Sequence, residues 1–159
     1  MNIFILDKNP FLAAQYQCNK HCVKMCLVTT QLLSNVMYRY NLTGPYKQTH
    51  KNHPCSLWAG NEVQNFDWLL HHGLALCSEY NHRYGKIHSC ESKIFWIMSN
   101  FNFRDTLPPS YKEIEFVQCM PDKYKNQDSV TAYRNYYIGD KSDIAQWHNK
   151  RPKPEWYVV

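Results

Sequence analysis

Cys18-Asn19-Lys20-His21-Cys22-Val23-Lys24-Met25-Cys26-Leu27-Val28-Thr29-Thr30-Gln31 reads as part of one long helix, and that reading makes the chain mainly α. Residues three or four apart share a helix face, so Gln17, His21, Lys24, Val28, Gln31 and Asn35 form one stripe. The remaining faces carry Val23, Met25, Leu27, Leu32, Leu33 and Val36, with Cys22 and Cys26. A helix wrapped in apolar residues is usually buried, so a stripe holding an imidazole and an amine is expected to face a pocket.

Outward from this helix, Asn9-Pro10 is a start signal, because asparagine caps free amides and proline suits the first turn. The pattern predicts a helix from Phe11 to Tyr40, closed by the turn at Gly44-Pro45. Met1 to Leu6 is a short apolar run, expected as a strand or a buried arm. Thr49 to Trp58 is a polar loop that re-enters structure at Pro54. A second long helix opens at Asn61 or Glu62 and runs to Gly85, with Val63, Phe66, Leu70, Leu74, Cys77 and Tyr80 as its buried stripe. Lys86 to Met98 is a third helical pattern. Asn100 to Asn126 is mostly loop, with Ile114 to Val117 extended. Asp128 caps a fourth helix through Tyr137, which Gly139 interrupts or ends. Lys141 to Trp147 adds a turn or two, and Arg151 to Val159 is irregular. The expected architecture is one compact helical domain over residues 1–159 with a short N-terminal extended segment.

The 159 residues can bury a core without covalent staples. No run reaches membrane-span length, and no signal peptide is expected at the N-terminus. The seven cysteines are an odd number without a disulfide framework, which fits reduced thiols in the cytoplasm of a host cell. The net charge of +5 is moderately basic and spread along the chain, a weak pull towards phosphates. Twelve tyrosines and five tryptophans supply core volume first and base-stacking surfaces second. The glycine loops of nucleotide hydrolases and a nucleophile elbow are absent.

Four constellations bear chemistry. His21 and Lys24 are the catalytic candidates: desolvation would sharpen the amine as a nucleophile towards a carbonyl or sugar aldehyde, and the imidazole would move protons or grip phosphate. The bland reading has Lys24 reaching solvent and His21 hydrogen-bonded in the interior. His50, Asn52 and His53 precede Pro54, which biases His53 towards an extended backbone. They either project from a functional loop or cap the next helix. Cys18, Cys22 and Cys26 at i, i+4 and i+8, with His21 nearby, make a thiolate–imidazole zinc site conceivable. The spacing matches no zinc ribbon or finger, so neither a metal nor another cofactor is expected. In Tyr133-Arg134-Asn135-Tyr136-Tyr137, Arg134 suits a phosphate, Asn135 a base edge and Tyr137 a base face, against a packing role for the aromatics. Trp58 and Asn65 have the same two readings.

Asp7, Ala13-Ala14-Gln15-Tyr16, His21 to Lys24, Gln31-Leu32-Leu33, Asn52-His53-Pro54-Cys55 and Trp58 resemble, in order, a family of small phage-encoded proteins without a settled role. The likeness continues through Arg83-Tyr84-Gly85-Lys86, Met120-Pro121, Tyr133 to Tyr137 and Pro154-Glu155-Trp156. More remotely, the first helix and His53-Pro54 resemble the pyrimidine-dimer DNA glycosylases. That resemblance implies a helical fold, a main-chain amine that forms an imine with the sugar, and an assisting carboxylate seven residues after His21. That position is Val28, and Asn2 is too large for ready removal of Met1, so an imine would need the amine of Met1 itself or Lys24.

The leading expectation is a viral DNA-associated protein that binds or acts on a damaged or modified nucleotide. In it Lys24 is nucleophile or phosphate ligand, His21 contacts phosphate or moves protons, and His50, Asn52 and His53 shape the pocket. A non-catalytic binder of a nucleotide or host protein, and a transferase acting on viral DNA bases, are the alternatives.

Overall fold

A computed structural model describes all 159 residues as seven α-helices and no strand: α1 Pro10–Tyr16, α2 Asn19–Arg39, α3 Pro54–Asn61, α4 Val63–Tyr84, α5 Cys90–Asn100, α6 Phe103–Thr106 and α7 Ser129–Asp140. A 3₁₀ turn spans Asp122–Tyr124. α2 and α4 pack along each other at the centre, α1 lies on α4, α3 sits against both, and α5 closes the other side. One hydrophobic cluster runs from Ile3 to Tyr157, so the last residues share a core with the first.

The expected helix from Phe11 to Tyr40 is two helices. Gln17 and Cys18 are extended (ψ 138° and 166°), which breaks the chain between α1 and α2. A break inside a core strands backbone groups, and here tertiary partners take them. The Arg83 guanidinium donates to the carbonyls of Gln15 (3.0 Å) and Gln17 (2.8 Å), and the Trp147 indole to that of Tyr16 (3.0 Å). Tyr137 Oη accepts from the Cys18 amide, and the Gln146 carbonyl from the Asn19 amide.

α4 starts at Val63, where the Pro108 carbonyl takes its first amide, and ends at Gly85 in the left-handed region (φ 66°), a conformation glycine adopts without strain. Phe66, Leu70 and Cys77 of the expected stripe are buried, whereas Val63, Leu74 and Tyr80 are half-buried. The deepest side chains also include Asn65, Trp68, His72, Glu79 and Arg83, so α4 is enclosed on nearly every face. A Cβ on Gly73 would lie 3.0 Å from Ile94 of α5 and from Thr29 of α2, which is how three helices meet there.

α5 begins at Cys90 rather than Lys86, because His88 Nδ1 accepts the Cys90 amide and terminates the preceding loop. Ile114 to Val117 joins no strand; the Trp58 indole bonds the Glu115 carbonyl instead. Asp128 caps α7 through the Thr131 amide as expected. Gly139 does not end α7, which continues to Asp140 because Tyr124 packs over that glycine and donates to Asp140.

Met1 to Leu6 forms a buried arm rather than a strand, with Ile3, Phe4, Ile5 and Leu6 in the core. Side chains from distant segments satisfy its backbone. Gln17 Nε2 donates to Ile3 O (3.0 Å), and Arg134 Nε donates to Leu6 O (3.0 Å). Asn2 Nδ2 bonds the Cys119 carbonyl, while its Oδ1 accepts the Ile3 amide. Phe4 holds φ 57°, a left-handed conformation that costs a side-chain-bearing residue energy and that this network over-determines.

Candidate functional site

The left-handed turn at Phe4 lays its ring flat on His21, with centroids 4.1 Å apart and planes at 17°. The Tyr137 hydroxyl bonds His21 Nδ1 from beneath. Burial, with the charges of Lys141 and Lys24, pushes the imidazole down to about 4. His21 is therefore neutral at pH 7, able to exchange hydrogen bonds or accept a proton but not to grip phosphate as a cation.

His21 lines a pocket of about 240 Å³ whose walls include Met1, Phe4, Lys24, Val28, Tyr136 and Lys141. Lys24 is exposed at the rim, not in the enclosed setting that the sequence reading required. Lys141 lies over the Tyr136 ring at 4.8 Å. No carboxylate lines the pocket, and its charged side chains are both lysines.

The Met1 amine extends this positive region towards α3. Its charge, after burial and with His50, lowers the His53 imidazole below its ordinary value. His53 is the N-cap of α3, with Nδ1 accepting the Cys55 amide at 3.1 Å. Asn35 of the predicted stripe holds the loop to α2 through the Thr49 carbonyl and Ser56 Oγ. His50 is exposed at φ 50°, its Nδ1 against Thr49 Oγ1, and Asn52 is exposed beside it.

Other predicted residues lie elsewhere. Arg134 bonds Leu6 O and Asp7 and sits over the rings of Tyr16 and Trp156, lining a separate concavity of about 560 Å³ with Arg151 and Lys153. It does not share a pocket with His21. Tyr137 is fully buried and supports His21 rather than presenting a face to a base. Asn135 is exposed on α7. Trp58 and Asn65 are buried, with Asn65 Nδ2 donating to the Trp58 carbonyl at 2.8 Å and the Trp58 indole to the Glu115 carbonyl, which is packing. Cys18, Cys22, Cys26 and His21 form no common ligand set: Cys26 lies with Cys77 and His88, and Cys18 with Tyr137.

Sequence reasoning missed Phe4 and Lys141, since a lone aromatic and a lone lysine far along the chain carry no spacing signal. Tyr136 was visible only as part of the Tyr133–Tyr137 run.

Residues 1–92 match the family described as pyrimidine dimer DNA glycosylase. The chain belongs to that family. No curated protein matches it, and no solved structure does. The stretch matched to the pyrimidine dimer DNA glycosylase family carries the arm, α1 to α4, His21, Lys24 and Val28, whereas Tyr136 and Lys141 complete the pocket from outside it. The resemblance drawn from sequence places the glycosylase carboxylate at Val28. That side chain does face the pocket, so the position is there and the acid is not.

Proposed function

We propose that the protein binds DNA and holds one damaged or modified nucleotide at the pocket between the arm and α2. Lys24 and Lys141 pair with the flanking phosphates, and neutral His21 supplies a hydrogen bond. The observation that carries this reading is the charge of the pocket: two lysines line it and no carboxylate does, so nothing there repels an anion. His50 and Asn52 extend the contact from the exposed loop, and Arg134 and Asn135 contribute from α7. The test is fluorescence anisotropy with a duplex carrying an abasic-site analogue, over a range of salt. Affinity should fall steeply with salt, and Lys24→Ala and Lys141→Ala should each shallow the log–log slope by about one unit. Salt-independent binding, or slopes unchanged in both variants, refutes it.

A second reading follows from the Met1 amine. At an abasic site the amine nitrogen attacks the sugar aldehyde carbon, and the adduct loses water to give an imine, with His53 placed to take the proton that the nitrogen sheds. With Val28 where the family's carboxylate is expected, no side chain in the pocket assists release of an intact base. The expected activity is therefore imine formation at sites already lacking a base. Borohydride should trap protein on abasic duplex, the adduct should vanish on N-terminal acetylation, and Lys24→Ala should keep it. An adduct that survives acetylation and is lost in Lys24→Ala would move the nucleophile to α2. No adduct, with the duplex still bound, would leave a non-catalytic binder.

A further inference from the structure

His53, Cys55 and Cys119 come from the loop before α3, its first turn and the segment before the 3₁₀ turn, yet their ligand atoms all lie within 4.8 Å of one another. The two sulfurs are 3.3 Å apart. A tetrahedral zinc ion with Zn–S bonds of about 2.3 Å holds two thiolates roughly 3.8 Å apart, so the pair is about half an ångström from that edge and more than twice as far from a disulfide of about 2.05 Å. We propose that His53, Cys55 and Cys119 form a binding site for a single thiophilic divalent ion, zinc by preference.

On binding, each thiol gives up its proton to solvent, two in all, and the ion with two thiolates has no net charge, which suits a site whose Cys55 is buried. His53 keeps one ring nitrogen free: Nδ1 accepts the Cys55 amide, while Nε2 has no partner within the chain, so it can ligate at the cost of at most that one cap. The fourth position is left to water. The ion would pin α3, the 119 segment and the arm together, because Asn2 already bonds the Cys119 carbonyl. No spacing motif announces such a site, since Cys119 follows Cys55 by 64 residues.

A second trio, Cys26, Cys77 and His88, is equally close but is closed to a metal. His88 uses both ring nitrogens, Nδ1 accepting the Cys90 amide and Nε2 donating to the Val23 carbonyl, and the Cys26 thiol donates to the Cys22 carbonyl.

The experiment is titration of the reduced full chain with Co²⁺ under anaerobic conditions, followed by displacement with Zn²⁺. One equivalent should produce a thiolate-to-cobalt charge-transfer band that zinc abolishes. Cys119→Ser, at a half-buried loop position, and His53→Ala should lose tight binding, whereas Cys77→Ala should keep the band. Circular dichroism and a thermal melt confirm that each variant folds, and zinc should raise the melting temperature of the wild type and of Cys77→Ala only. No band in the wild type, a band that persists in Cys119→Ser, or one lost only in Cys77→Ala overturns the assignment.

Discussion

Replacing Glu79 by glutamine should cost about 3–5 kcal/mol, because the change leaves an enclosed guanidinium without its counter-charge. Glu79 is 4% exposed and takes Arg83 Nε at 2.8 Å and the Nε and Nη2 of Arg151 at 2.8 and 2.9 Å. Arg151 can turn to solvent when its partner changes, since its side chain is 24% exposed, whereas Arg83 at 1% cannot. Arg83 is also held by the Asn19 side chain and by the Gln15 and Gln17 carbonyls, so it cannot leave without reopening the α1–α2 break. The assay is urea unfolding. With m of about 2 kcal/mol per molar, the midpoint should fall by roughly 2 M, and the melting temperature by about 8–15 °C for a chain of this size. Glu79→Leu with Arg83→Met should recover part of the loss but not all, because the carbonyls of Gln15 and Gln17 then lack a donor at about 1–3 kcal/mol each. Burial raises the Glu79 carboxyl, and the bonds from Arg151 and Arg83 outweigh it to hold the group below its ordinary value. Its contribution is therefore present above the usual carboxylate range and lost as pH falls below it, and Glu79→Gln should flatten that acid limb. A loss under 1 kcal/mol, or full rescue in the double variant, would refute the account of Arg83 as the bridge across the break.

Burial holds both His21 and His72 down at about 4 from 6.5, so between those values the unfolded chain binds protons that the folded one does not. Stability should fall as pH drops through that window, by up to about 2.7 kcal/mol per pH unit, and a flat urea midpoint between pH 6.5 and 4.5 would contradict it. Gly44→Ala would put a Cβ 2.7–2.8 Å from the Ser34 Cβ and Cα, and should destabilise by about 1–3 kcal/mol in the same assay. Val28→Glu sets a carboxylate on the pocket wall and should speed strand cleavage at abasic duplex on the order of 10²-fold; an unchanged rate would show that the position does not reach the reacting sugar.

The helical class, the Asn9 and Asp128 caps, the Gly85 stop and the pocket-facing register of His21 and Val28 were all readable, because each rests on contacts within a few residues or on helical period. The break at Gln17 was not. Nothing local stops that helix: the groups that compensate it are Arg83, Tyr137, Gln146 and Trp147, all more than sixty residues away. The same limit separated Arg134 from His21. Arg134 and Tyr137 are three apart on α7, yet their partners differ: Tyr137 went to the core against His21, while Arg134 turned to the carbonyl of Leu6. Lys24 is the opposite case: the helix beneath it is buried, but its own side chain reaches solvent.

The arm imposes an order on the birth of the molecule. Asn2 finds its partner 117 positions later at Cys119, and Leu6 waits for Arg134. At roughly 5–20 residues per second, a ribosome takes about 6–23 s to make that span. During that interval Ile3-Phe4-Ile5-Leu6 has emerged and is sticky, with Gln17 and His21 at hand but its distal partners still unmade. The arm is thus among the last segments to be seated, and the pocket it walls is complete only once Tyr136 and Lys141 are out. A nascent chain of this protein should lean on chaperones at its arm, and any stall before residue 134 should leave a product with most of its helices and an incomplete site.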